Sequence, residues 1–343
     1  AAEMSRIRTC AKKTLLALKN PAGSVQEVFE NALDAIEEDN GCQYMGVKNV
    51  RQIPMEFVRN LESKGFVLHT LDAHSHNGRA VDYALRNPIT GQPMTGSSSG
   101  TAINVFLGIN DLGIGTDGGG SVLAPALAVN CFGFISPLMA EETMKQYTKQ
   151  STDGIAFYPS LGFVTAEYPT MTKAIDAALD LEPAAEGMDA IRLQASPAFA
   201  ARAAVKPDAI VEVPAAGSDR NTLIEFLDRQ LPACDVFADW EEKIDFHGLG
   251  DTVFGHFDPE TAEIQSRSGK GLIRVANMVK ATALTIPATE LSSGFTLYCE
   301  SKPEKIRKLL AVAAKLLPEK DALVQRYFRD PAPYFEKGFV WNH

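Results

Sequence analysis

A chain of 343 residues with 45% hydrophobic and 22% charged side chains carries enough apolar material for a large core, and reads as globular rather than disordered or fibrous. Its formal net charge of −10 argues against a nucleic-acid groove, because phosphate recognition rests on clustered lysine and arginine. No apolar run approaches the roughly 20 residues that span a bilayer, residues 1–20 are too basic and interrupted for a secretory signal, and Cys10, Cys42, Cys131, Cys234 and Cys299 form no C-x-x-C pair; the expected protein is cytoplasmic, with reduced thiols, no membrane partner and no nucleic-acid partner.

In chain order, Val25, Val28, Phe29, Ala32, Leu33 and Ile36 recur at helical spacing after Ser24, which predicts an amphipathic helix over 25–38 with Ser24 as N-cap. Residues 44–47 and 66–70 are short runs of strand formers, with a helix over 57–64 between them and Gly65 as its stop, a βαβ-like order. Residues 101–107 predict a buried helix, and 112–115 and 131–135 core strands bounded by glycine and proline. Helices follow over 140–149 and 170–181, a strand over 209–213, a helix over 221–230, strands over 283–287 and 294–298, and a helix over 303–317 that extends past Pro318. The alternation implies an α/β fold, one compact domain over 1–343 with a central mixed sheet flanked by helices. Neither loop at 205–207 and 214–218 is long enough to be a linker, and there is no repeat.

Two glycine-rich turns carry serines: Gly96-Ser97-Ser98-Ser99-Gly100, and Gly118-Gly119-Gly120-Ser121 at the end of an apolar run. A serine hydroxyl is a weak nucleophile unless a base lies within hydrogen-bond reach and donors face the developing oxyanion. Consecutive glycines let several backbone N–H groups converge on one point, which makes Ser121 the candidate nucleophile. A flexible linker would not run straight into the apolar residues 101–107. Gly113-x-Gly115-x-x-Gly118 also fits a dinucleotide fingerprint, but Gly119, Gly120 and Pro125 interrupt the helix that motif needs.

The two turns and their spacing resemble the amidase signature family, whose core reads roughly G-G-S-S-G-G-S, an alanine-rich helix, then G-T-D-x-G-G-S. Gly115-Thr116-Asp117-Gly118-Gly119-Gly120-Ser121 is the second element here, with Arg86-Asn87-Pro88 upstream and Pro125-Ala126 and Cys131-Phe132-Gly133 downstream. The likeness is strongest over 86–137, with weaker echoes at 161–164, 276–287 and 294–310. It implies the amidase signature fold and a Ser-Ser-Lys triad of Ser121, bridging Ser97 on a cis peptide, and a neutral, buried Lys48 in Gly46-Val47-Lys48-Asn49. Gly118, Gly119 and Gly120 would then form the oxyanion hole. The implied activity is hydrolysis of a small carboxamide or carbamoyl compound through an acyl-enzyme, without cofactor or metal. Asn49, Leu123 and Ser136-Pro137 stand where the family commonly has aspartate, arginine and lysine-proline. Alternatives are a non-catalytic subunit of the same fold, and a transamidation subunit resembling the A subunit of glutamyl-tRNA amidotransferase. Homo-oligomerisation is left open.

Asp72, His74 and His76 alternate and would share one face of a strand, as a metal site requires, although Ser75, Asn77 and Gly78 read as a polar surface loop. His247 and His256 flank a glycine-rich stretch, and nothing there specifies a role.

Overall fold

The computed structural model describes residues 5–182 and 190–319. Among them eleven strands form one sheet in the order β1-β3-β2-β6-β10-β7-β14-β15-β13-β11-β12. Their ranges are β1 Val25–Val28, β2 Gln43–Lys48, β3 Phe66–Asp72, β6 Leu112–Asp117, β7 Phe132–Ser136, β10 Ser160–Thr165, β11 Leu193–Ala195, β12 Ala209–Ile210, β13 Val236–Glu241, β14 Ala281–Pro287 and β15 Gly294–Glu300. Two small hairpins, β4 Val81–Arg86 with β5 Pro93–Thr95 and β8 Lys149–Gln150 with β9 Ala156–Phe157, stand outside it. The sheet is mixed: β2 runs parallel to both β3 and β6, and β13 to β11, while the strands from β6 to β13 pair antiparallel. The α/β class and the parallel β2-α2-β3 unit, with α2 at Met55–Glu62, therefore hold.

Alternation along the central strands divides the core into two layers. Leu112, Ile114, Phe134, Leu161 and Phe163 pack on one face with Leu61 of α2, Met171 of α6 (Tyr168–Leu179) and Leu309 of α10 (Pro303–Ala314). The other face receives α3 (Ser99–Phe106) and α4 (Leu123–Ala128), in which every residue is buried. α4, apolar on all sides, must be enclosed, and the strand beneath α3 makes room for that helix with glycines. A Cβ on Gly113 would lie 2.5 Å from Thr101 Cγ2, and one on Gly115 2.6 Å from Ser98 Oγ.

The helix expected over 25–38 is not formed. Val25–Val28 is an edge strand antiparallel to β3, followed by a 3-10 turn over Glu30–Ala35. The Asn20 side chain holds both backbone groups of Val25, donating to its carbonyl at 3.0 Å and accepting from its N–H at 3.1 Å. Ser24 O accepts from Ala73 N at 2.9 Å. The open edge of β3 thus outweighs a local helical pattern. Residues 6–19, for which no element was expected, form helix α1, Arg6–Lys19, capped by Ser5 and ended by Asn20 in the left-handed region. The helix expected over 140–149 is confined to Glu141–Lys145, the strand over 209–213 to Ala209–Ile210, and the last helix stops at Ala314, short of Pro318. Residues beyond 319 lie outside the described residues.

The close approach of α3 to β6 gives a stability test. Gly113→Ala forces its new methyl against Thr101 and should cost about 1–3 kcal/mol in chemical denaturation. Gly217→Ala, where nothing lies within 4 Å of the added Cβ, should change stability by no more than about 0.5 kcal/mol.

Candidate active site

Three segments meet where the parallel strands β2 and β6 end. Open α/β sheets bind ligands at the carboxyl ends of their strands. Lys48 is the last residue of β2, Thr116 and Asp117 are the last two of β6, and Ser97 and Ser98 lead into α3. The Gly96–Ser97 peptide is cis. Ser97, Ser98 and Ser99 are all buried, at 4%, 0% and 0% exposure, so the first serine-rich turn is a core element.

Lys48 is 3% exposed, and its Nζ donates to Ser97 Oγ at 2.6 Å and to Thr116 Oγ1 at 3.0 Å. Burial pulls its pKa down from the ordinary lysine value to about 7, against the opposing charge of Asp117. Ser121 lines the same cleft as Lys48, Ser97, Thr116, Gly118 and Gly119, a cavity of about 1020 Å³. The backbone joins the two serine turns directly, Ser98 N donating to Ser121 O at 3.1 Å.

Asp117, which carried no assignment from sequence, fixes the turn that carries Ser121. It is fully buried, and its carboxylate accepts from the N–H groups of Gly120 at 2.9 Å, Val122 at 2.8 Å and Leu123 at 3.2 Å. Burial raises its pKa, and these three bonds with the nearby Lys48 charge work the other way. On the outer side Asn277 Nδ2 donates to Gly118 O at 3.3 Å and to Tyr158 O at 2.8 Å. The N–H of Gly120 is thus used inside the turn, whereas Gly118 and Gly119 stand on the cleft wall. Thr116 was quoted only as part of a motif; its side chain is the second partner of the lysine. Asn277 lies far along the chain and no local signal marks it.

Leu123 is 0% exposed and begins α4 in the apolar core, so the position that commonly holds arginine contributes no charge here. Asn49 sits outside the buried cluster, its side-chain amide donating to Gln26 Oε1. The alternating Asp72, His74 and His76 do not converge. Asp72 ends β3 inside the core, held by Thr70 Oγ1 at 2.6 Å and Asn104 Nδ2 at 2.7 Å, while His74 and His76 line the outer part of the cleft. No cluster of three metal-ligating side chains occurs among the described residues. His247 lines a separate cavity, and His256 is exposed. No helix among the described residues is long and apolar enough to cross a membrane.

Residues 80–139 match the protein-family model described as Amidase. No curated protein matches the chain in sequence. Among solved structures, 6-aminohexanoate cyclic dimer hydrolase complexed with substrate superposes with a TM-score of 0.64 at 15% identity, over 96% of this chain and 95% of that one. A bacterial aryl acylamidase of the amidase signature enzymes gives 0.62 at 14%, over 94% and 93%. The native peptide amidase from Stenotrophomonas maltophilia gives 0.55 at 14%, over 94% of each chain. At such identities the likeness is one of fold. With the family match it bears out the resemblance to amidase signature enzymes, at a divergent remove.

The balance of burial and charge on Lys48 is measurable without substrate. Lysine carrying a 13Cε label should show one amine titrating near pH 7, absent in Lys48→Met. Asp117→Asn removes the negative charge that raises this pKa, so the midpoint should move to lower pH. A midpoint near that of free lysine, about 10.4, would mean that the amine is protonated at neutral pH.

Proposed function

We propose that this chain is a single amidase-like domain that hydrolyses the carbon–nitrogen bond of a small carboxamide or carbamoyl compound, with Ser121 as nucleophile, Ser97 as proton bridge and Lys48 as base. The observation that carries the reading is the buried Lys48 amine 2.6 Å from Ser97 Oγ. A lysine held near pKa 7 is substantially neutral at physiological pH, and only the neutral amine can take a proton.

The steps follow from the residues. Ser97 Oγ passes its proton to Lys48 Nζ and receives that of Ser121 Oγ, which attacks the carbonyl carbon. The oxygen that becomes negative would be met by the N–H groups of Gly118, Gly119 and Ser121 itself. Gly120, included from sequence, is set aside because its N–H already serves Asp117. Each such donor lowers the barrier by about 3 kcal/mol in comparable enzymes. The Lys48 proton returns through Ser97 to the leaving nitrogen, the C–N bond breaks, and the acyl group stays on Ser121. Water then attacks the ester by the same relay in reverse, so that amide and water give acid and amine.

Leu123 favours a second reading. With no guanidinium beside it, Asp117 takes all its hydrogen bonds from backbone N–H groups, which suits a non-catalytic member of the fold serving as a subunit. A transamidation subunit would show the same nucleophile, with its ammonia passing to a partner.

A fluorophosphonate should label Ser121, located by mass spectrometry, because a serine beside a base and an oxyanion hole reacts far faster than a solvated one; a folded protein left unlabelled supports the non-catalytic reading. With an amide that is turned over, Ser97→Ala and Lys48→Ala should each lower kcat by about 10²-fold or more, and the double variant should be scarcely worse, since relay members act as a unit. In the same assay kcat/KM should rise with pH through an apparent pKa near 7, because protonated Lys48 cannot accept the serine proton. That rise should disappear in Lys48→Ala.

A further inference from the structure

Beside the nucleophile turn a second, smaller cavity of about 190 Å³ opens, sharing Ala80, Gly119, Arg220 and Thr252 with the main cleft. Its wall carries Arg220, Arg274 and Lys270 and, among the described residues, no aspartate or glutamate. The remaining lining is glycine, alanine and neutral polar side chains, Gln265, Ser266 and Ser268 among them.

The three cations are not equally neutralised. Lys270 is 5% exposed and its Nζ pairs with the buried Asp245 at 3.0 Å. Arg220 pairs with Asp153 at 3.1 Å, but that carboxylate is 40% exposed and lines neither cavity. Arg274 has no carboxylate within ion-pair distance among the described residues. One terminal nitrogen, Nη2, donates to Ala216 O at 2.6 Å and Ser218 O at 2.8 Å, and its buried Nε has no partner. Burial and the neighbouring Arg220 charge pull the Arg274 pKa downward, and the carboxylates of Glu241, Asp153 and Asp219, none of them in ion-pair contact with it, work the other way. Two guanidinium groups are therefore held within repulsive range of each other at a wall with no acid of its own, an arrangement that an anion relieves.

The position relative to the reacting carbon decides what that anion belongs to. A Cβ on Gly119 would lie 3.8 Å from Arg220 Nη2 and 3.7 Å from Arg274 O, so the guanidinium stands directly against the turn that carries the nucleophile. The acids of the main cleft do not oppose it. Asp251 is paired with Arg79 at 2.8 Å, and Asp82 accepts from Ser99 Oγ at 2.6 Å and from the N–H groups of Ala84 and Leu85.

Resting on the hydrolase reading above, we propose that Arg220 and Arg274 form a carboxylate subsite, and that the substrate is an amide carrying a carboxylate a few bonds from the scissile carbonyl. Arg220 presents the planar fork that takes a carboxylate through two parallel hydrogen bonds. Arg274 supplies a second charge behind it, with no carboxylate in direct contact among the described residues.

Binding to the Ser121→Ala protein tests this without turnover. Calorimetric titration with succinamate against its neutral counterpart succinamide probes a carboxylate on the acyl side; N-acetylglycine against N-acetylglycinamide probes one on the amine side. At least one acid should bind tenfold or more tighter than its neutral partner. Arg220→Gln should cut that ratio tenfold or more, and Arg220→Lys should restore part of it. Arg220 is chosen first because Arg274 also holds the loop at 216–218, so that Arg274→Gln is informative only where circular dichroism shows an intact fold. Equal binding within both pairs, or an Arg220→Gln loss that falls equally on acid and neutral amide, overturns the subsite. Fluorophosphonate labelling of Ser121 in the otherwise unmodified chain separates the two ideas: label without acid preference rejects the subsite alone, and acid preference without label rejects the hydrolase alone.

Discussion

Everything at this site depends on keeping one amine out of water. An ammonium loses several kcal/mol of hydration when it is buried, and Lys48 meets that cost by releasing its proton near neutral pH instead of drawing in a carboxylate partner. Its two side-chain contacts are hydroxyls, Ser97 and Thr116, which accept a hydrogen bond from an ammonium and can also offer one to a neutral amine. A carboxylate in their place would fix the lysine as a cation. The enclosure comes from the fold: Lys48 ends a strand flanked by β3 and β6, and the fully buried helix α3 closes one side.

Asp117 limits how far this goes. It is buried close enough for its charge to raise the Lys48 pKa, and its own burial would favour the neutral acid. Three backbone N–H groups favour the carboxylate and in return hold residues 120–123 in a fixed turn. One side chain thereby shapes the turn that carries Ser121 and raises the Lys48 pKa, which ties the local geometry to the electrostatics. It also explains why the glycines on either side of the turn differ in use, with Gly120 committed inward and Gly118 and Gly119 facing the cleft.

What the sequence disclosed follows the range of the interactions. Strands β2, β3, β6, β14 and β15 and helices α2, α3 and α8 (Arg220–Gln230) were legible because each is a run whose periodicity and bounding glycine or proline act locally. The failure at 25–38 has the opposite cause: the residues keep helical spacing, but the free edge of β3 and the side chain of Asn20 decide their conformation. The same division runs through the site. Gly118 to Ser121 announce themselves as a motif, and the resemblance supplied Ser97 and Lys48. Asn277, Arg220 and Arg274 come from distant segments with nothing in their neighbourhood to mark them, and only the folding of 216–220 and 271–278 toward the nucleophile turn gives them meaning.

The charge of the whole chain and the charge of the cleft have opposite sign, and the two act over different distances. A net −10 spread over the surface repels an anion at long range, but at physiological ionic strength that field decays over about 8 Å. A guanidinium in contact acts inside that length, where a pair of unit charges 4 Å apart gains about 4 kcal/mol at an effective dielectric of 20. For an anionic amide of the kind proposed, the acidic surface bears on how fast it arrives, and Arg220 and Arg274 on how firmly it is held once inside. The base and the subsite proposed here, one neutral and the other charged, can share one cleft only if their hydrogen-bonding partners differ. Two hydroxyls hold the lysine, with the Thr116 carbonyl further off at 3.5 Å, while closer backbone carbonyls and an outward-lying carboxylate hold the arginines.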